Sequence, residues 1–204
     1  MTDITIIGAG NMGSALAGRF SSAGNSVQVL ARDAAKANAA GGTAAGTIGD
    51  AITGSIVILA VPYPALGEIF TAYADALAGK IVVDMTNPVN GETFDGLDVP
   101  ADASAAAEIA AKLPSASVLK AFNTNFAATL ATGDVAGTPT TVLVAGDDAD
   151  AKSALTDLIA SSGLRALDAG SLKRARELEA LGFLQILLAA GEKTSWTSGF
   201  ALAK

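Results

Sequence analysis

The sequence predicts an α/β protein built on a doubly wound, mainly parallel sheet with a small C-terminal αβ extension. Two observations point there. Strand-length, β-branched apolar runs alternate with helical stretches from one end of the 204-residue chain to the other. Half of the residues are apolar but only 5% are aromatic and 22 are Gly, which suits helices packed close against a sheet.

The elements follow in order. Ile4–Ile7 is the first buried strand, and the next segment carries Met12, Leu16, Phe20 and Ala23 at helical spacing before Gly24 stops it. Val27–Leu30 is the second strand, and Asp33 is placed to cap a helix starting at Ala34. Ile56–Val61, Ile81–Met85, Val118–Phe122 and Thr141–Ala145 are further buried strands, and Ala166–Ala169 adds another. Asp102 precedes a helical stretch, Ala103–Leu113, as its expected cap. Asp147 to Ser162 is a helix with an acidic first turn, stopped by Gly163. The last element, Leu172 to about Gly191, is apolar on nearly every side after Ala180, so it is expected to be buried in its own subunit or against a partner. The turn-rich stretch Gly133–Pro139 divides a dinucleotide-binding domain, residues 1–135, from a small part, 136–204, packed on it and not autonomous.

Composition removes several kinds of chemistry. With no Cys and no His, the chain has no disulfide, thiolate nucleophile, imidazole base or Cys/His metal site. A formal charge of −7 repels polyanions, so no nucleic-acid partner is expected. The N-terminus lacks a basic n-region, and the densest apolar stretch, Ala180–Ala190, is interrupted by Gln185 and falls far short of the ~20 residues that span a bilayer. The expectation is a soluble, cytoplasmic protein with no membrane partner.

Gly8-Ala9-Gly10-Asn11-Met12-Gly13 follows the first strand and opens the first helix, the context in which G-x-G-x-x-G acquires meaning. Gly8 permits the tight turn, Gly10 lets the backbone approach a pyrophosphate, and Gly13 lets helix pack on strand. The helix N-terminus offers its free N–H groups to the phosphates. This is the Rossmann fingerprint.

Dinucleotide choice is made at the end of the second strand, where NAD binders place an acidic residue about 20 positions past the glycines. Here that position is Ala31, followed by Arg32, with Lys36 one turn further on. An uncharged residue followed by a cation leaves room for a 2′-phosphate, so NADP is expected over NAD. The competing assignment makes Asp33 the ribose acid in a register shifted by two, but Asp33 is better explained as a helix cap.

Three further strand ends should face the same crevice: Ala60-Val61-Pro62-Tyr63-Pro64, Asp84-Met85-Thr86-Asn87-Pro88 and Ala121-Phe122-Asn123-Thr124-Asn125-Phe126. They carry apolar and amide groups, with Asn87 and Asn123 among them, and local turn formation competes with ligand contact as the reason for each Pro and Asn. Lys120 and Tyr63 are the candidates for proton transfer, neither with an evident partner to tune it. The one basic cluster, Lys173 to Arg176, is expected to pair within its helix as Lys173–Glu177 and Arg176–Glu179, with contacts to an anionic ligand or the other protomer as the alternative.

With these residues in view the sequence resembles the F420-dependent NADP oxidoreductase family. The likeness lies in Ile6 to Gly13, Ala31-Arg32 with Lys36, the Val61-Pro62 turn, Phe122-Asn123-Thr124, and above all Leu167 to Glu179. It implies a Rossmann-type domain with a small C-terminal part, often dimeric, and direct hydride transfer between NADPH and a deazaflavin; the apolar C-terminal helix is the expected homodimer contact. Ala9 to Met12 would contact the pyrophosphate, Ala31, Arg32 and Lys36 the 2′-phosphate, and Val61 and Pro62 would lie beside the nicotinamide and deazaflavin; Ala60, just before them, is a further cofactor-binding candidate. Asn123 stands where archaeal members carry His, and Ala31 where they carry Ser.

The function expected is therefore an NADPH-dependent oxidoreductase passing hydride to a planar acceptor such as coenzyme F420 or a flavin. Holding two rings at near-attack distance contributes up to ~7–11 kcal/mol without any acid or base. An imine or pyrroline reductase is the second expectation, because G-x-G-N-M-G opens that family too. Those proteins continue into an all-helical domain, whereas Thr141–Ala145 and Ala166–Ala169 read as strands. A non-catalytic NADP(H)-binding redox sensor is the third.

Overall fold

In the computed structural model, which describes residues 1–202, the apolar runs sort their side chains onto two faces as buried strands do. In β4 (Ile56–Leu59), Ile56 and Ile58 enter one core while Val57 and Leu59 enter the other. β1 (Asp3–Ile7), β2 (Ser26–Ala31), β5 (Ile81–Asp84) and β6 (Ser117–Lys120) also supply residues to both. One core is closed by Leu16 and Phe20 of α1 (Asn11–Ser22) and by Leu155, Leu158 and Ile159 of α6 (Ala149–Ser161). The other is closed by α3 (Leu66–Tyr73), α4 (Ala105–Lys112) and Ala175 at the start of α7 (Ala175–Ala190).

Eight strands form one sheet in the order β10-β9-β6-β5-β4-β1-β2-β3, where β3 is Ala44–Thr47, β9 is Thr141–Gly146 and β10 is Arg165–Gly170. Pairing is parallel except between β6 and β9, which run antiparallel through Leu119↔Gly146 and Lys120↔Ala145. The strand order reverses between β1 and β4, and a doubly wound sheet opens its ligand crevice at such a point.

Gly133 to Pro139 is a small hairpin: Gly133 ends α5 (Ala127–Thr132) in the left-handed conformation, and β7 (Asp134–Val135) turns back onto β8 (Thr138–Pro139). Beyond it, β9, α6 and β10 continue the sheet of the first part.

Several local expectations shift. Asp33 caps α2 (Ala34–Ala39) as expected, accepting from the amides of Ala35 at 2.8 Å and Lys36 at 3.3 Å. α4 begins after Asp102, with Ser104 accepting from Ala107 N at 3.1 Å; a hydroxyl two residues nearer the apolar stripe takes the capping position. Asp148 caps α6, while Asp147 accepts from Leu172 N at 3.0 Å and ties the start of α6 to the approach of α7. β4, β5 and β6 end one to two residues before the apolar runs do, so residues 60–62, 85–87 and 121–123 stand just past the carboxyl ends of their strands. α7 is buried along one stripe only, and Leu184 on the opposite side is half exposed. No helix among the described residues is long and apolar enough to cross a membrane.

Candidate functional site

The glycine loop is stitched into the sheet on both sides: Gly8 N donates to Leu30 O and Ala60 N donates to Ile7 O, each at 2.8 Å. Gly8 has φ of +118°, and a Cβ there would lie 2.1 Å from Ala60 O. A Cβ on Gly13 would lie 2.0 Å from Gly8 O. Both glycines are therefore demanded by packing. At Gly10 a Cβ would meet no atom within 4 Å, so open space lies where the fingerprint puts a pyrophosphate. Gly10 is the N-cap of α1 and supplies no side-chain acceptor, and the first amide bonded back to the cap is Ser14 N to Gly10 O, at 2.9 Å. The amides of Asn11, Met12 and Gly13 are thus the unsatisfied donors of a helix N-terminus, the arrangement that suits an anion.

Gly8, Ala9 and Gly10 line a cavity of about 270 Å³ whose other walls include Ala60, Val61 and Pro62 after β4. Ala31, Arg32 and Lys36 line its far end, after β2. Arg32 and Lys36 are exposed, and neither is in an ion pair among the described residues. Asp33 lines the same cavity but spends its carboxylate on the α2 cap, and Glu68 of α3 lines it as well.

A second cavity, of about 440 Å³, begins where the first leaves the loop, with Asn11 and Met12 in its wall. Met85 and Asn87 reach it from the end of β5, and Asn123, Asn125 and Phe126 from the end of β6. Asn123 Nδ2 donates to Asn87 Oδ1 at 2.9 Å and to Leu178 O at 2.8 Å, while Asn87 Nδ2 donates to Asn123 O at 2.8 Å. This reciprocal pair joins two strand ends and α7. The turn that delivers Asn123 passes through Phe122, a buried non-glycine residue with φ of +65°, backbone strain of the kind that collects at functional sites. α7 approaches through Gly182, where a Cβ would lie 2.5 Å from Asn87 Oδ1. No Lys, Arg, Asp or Glu lines this cavity.

Neither proton-transfer candidate lines either cavity. Lys120 is fully buried, and its ammonium donates to Asp84 Oδ2 at 2.7 Å, Glu179 Oε1 at 2.8 Å and Thr86 O at 2.6 Å. Glu179 also accepts from the first amides of α4, Ala105 N at 3.0 Å and Ala106 N at 3.3 Å. Burial holds the Glu179 carboxyl above its ordinary range despite Lys120. The cluster binds β5, β6, α4 and α7 together directly behind the two asparagines. Tyr63 donates to Glu108 Oε2 at 2.6 Å on the outer side of α3 and α4, and burial followed by that carboxylate pushes its hydroxyl up to about 12. The helical ion pairs also differ from expectation: Glu179 turns inward to Lys120, and Glu177 pairs with Arg174 at 3.3 Å.

The model of the family "NADP oxidoreductase coenzyme F420-dependent" matches residues 3–88, from β1 through the end of β5. Over that segment, less than half of its length, the chain is similar to this family of NADP-dependent oxidoreductases. The F420-dependent NADP reductase of Methanocaldococcus jannaschii is 32% identical over 148 residues, 71% of this chain and 66% of that protein. Metalloreductase STEAP3 of Rattus norvegicus is 32% identical over 180 residues, 87% of this chain, which spans only 36% of that protein. A crystal structure from Arthrobacter sp. FB24, provisionally named an F420-dependent NADP-reductase, superposes with a TM-score of 0.88 at 26% identity over the whole of both chains. A reductive aminase from Aspergillus terreus shares the fold, with a TM-score of 0.69 at 20% identity over 95% of this chain and 63% of its own.

The site also includes residues that no sequence motif marks. Ile186, Trp196 and Thr197 line the second cavity, and Gly182 lets α7 close on the asparagine pair. The available signal was Trp196, the single Trp of an aromatic-poor chain.

Proposed function

We propose that the chain is an NADPH-dependent reductase that passes hydride to a planar ring, a deazaflavin of the F420 type or a flavin. One observation carries this reading: a single glycine loop lines both cavities, with Gly8 to Gly10 in the first and Asn11 and Met12 in the second. Where the two cavities meet at the start of α1, the amides of Asn11 to Gly13 hold the pyrophosphate. Arg32 and Lys36 hold the 2′-phosphate, and one charge-assisted hydrogen bond there favours NADP over NAD by roughly ten- to a hundred-fold. Ala60, Val61 and Pro62 exclude water from the nicotinamide side, and the Asn87–Asn123 pair fixes the floor on which the acceptor ring lies.

Bound NADPH supplies a hydride, which carries both electrons to the ring and leaves NADP⁺, while the ring takes one proton from solvent. The protein therefore needs no acid or base in the cleft, which agrees with a second cavity lined only by apolar, amide and hydroxyl groups. We place the protein in the cytoplasm, where the NADPH it would use is held.

The test follows NADPH absorbance against a panel of F420, riboflavin, FMN, a quinone and pyrroline carboxylate. Consumption with the ring acceptors and none with pyrroline carboxylate is expected. Consumption with pyrroline carboxylate alone would replace this reading with imine reduction, and tight NADPH binding without turnover on any acceptor would replace it with a sensor.

A further inference from the structure

The chain after α7 forms a strap across the second cavity. It leaves the helix through Glu192, in the left-handed region at φ +57°, with Lys193 N donating back to Leu188 O at 2.8 Å. Its far end is held where Gly199 packs beside Val135 and Thr129, and where Arg165 donates to Leu202 O at 3.1 Å. Between these points the Trp196 ring rests on Phe126, centroids 5.0 Å apart and planes at 54°, and Trp196 and Thr197 line the cavity. Phe126 is covered to 8% exposure, whereas Trp196 remains 53% exposed. A large aromatic held at the edge of a cavity by another ring, with half of its own surface in water, presents an unused stacking surface.

The chemistry of the cavity narrows what that surface takes. Met12, Met85, Phe126 and Ile186 give it an apolar lining, amides supply its polar groups, and it holds no charged side chain, unlike the neighbouring cavity with Arg32 and Lys36. Its volume of about 440 Å³ lies within the range of small-molecule sites.

Resting on the acceptor reading above, we infer that Trp196 is a specificity-determining residue that stacks on an uncharged fused ring of the flavin or deazaflavin type. The cavity recognises the ring and gives no added affinity for a phosphate on its tail.

The experiment measures riboflavin binding by the flavin's own fluorescence, with NADP⁺ present so that no turnover occurs. Trp196→Ala is expected to weaken riboflavin binding roughly three- to ten-fold, with Trp196→Phe retaining most of the affinity and NADP⁺ binding unchanged in both. FMN is expected to bind no more tightly than riboflavin. Equal riboflavin affinity in parent and Trp196→Ala overturns the inference, as does a parallel loss of NADP⁺ affinity in that variant, or FMN binding ten-fold tighter than riboflavin. Riboflavin that binds in a Trp196-dependent way but is not reduced by NADPH supports the stacking site and removes the reductase reading. Riboflavin reduced with the same KM in parent and Trp196→Ala leaves the reductase reading and removes the stacking site.

Discussion

The two cavities are built in different ways. The dinucleotide side is drawn from the first third of the chain: the glycine turn after β1 and the end of β2 lie within residues 3–36, and the turn after β4 with α3 completes the wall by residue 69. The second side joins Asn11 and Met12 of the glycine loop to the ends of β5 and β6, to α7 and to the strap, so its lining runs from residue 11 to residue 197. Its asparagines are held by side-chain hydrogen bonds, and behind them by a buried ion cluster. A local site is fixed by which residues lack side chains, and a long-range site by which buried polar groups find one another.

The largest effect should come from breaking that cluster. Lys120→Met leaves Asp84 and Glu179 buried without their cation and is expected to cost about 3–5 kcal/mol, read as a lower denaturant midpoint. On the other side, Arg32→Ala should weaken NADPH binding roughly ten- to a hundred-fold while leaving NADH binding and stability unchanged. An unchanged NADPH dissociation constant would remove the 2′-phosphate assignment. Within the glycine loop, Gly8→Ala should unsettle the fold, because its Cβ would run into Ala60 O, whereas Gly10→Ala enters open space. Gly10→Ala should keep the parent melting temperature and lose roughly two- to ten-fold in NADPH affinity, as for one disturbed hydrogen bond.

The smallest effect is a pH dependence. The folded-state pKa of Glu179 is raised from an ordinary 4.5, so the folded protein binds this proton more tightly than the unfolded chain. The contribution of this group to stability is fully present below the unfolded value and is lost as pH rises through the folded one. The parent should therefore lose stability relative to Glu179→Gln as pH rises above 4.5, measured by urea unfolding at a series of pH values. Asp148 and Asp168, lowered mainly by hydrogen bonds from Ser117 and Lys152, lose their contributions as pH falls and act the opposite way, in parent and variant alike.

What the sequence revealed follows the same division. The strand–glycine–helix unit, the Asp33 cap and the Arg32–Lys36 pair were legible because each rests on contacts a few residues apart. β3 escaped notice because Ala44-Ala45-Gly46-Thr47 is an exposed edge strand without an apolar pattern. The antiparallel entry of β9 depends on the β7–β8 hairpin, which composition showed only as a turn-rich stretch. Helical spacing paired Glu179 with Arg176, but a buried Lys120 with three acceptors outcompetes an exposed pair along a helix. Trp196 is marked in the sequence only by being the single Trp, since its partner Phe126 lies seventy positions away and only the folded strap brings them together.

The central claim is direct transfer of hydride from nicotinamide to ring, and isotope transfer tests it most directly. NADPH deuterated at both C4 positions is mixed with 5-deazariboflavin, whose reduced C5 does not exchange with water, and the product is examined by mass spectrometry. Deuterium at C5 of the reduced ring is the expected result. Absence of reduction, or a reduced ring carrying only solvent hydrogen, would contradict it.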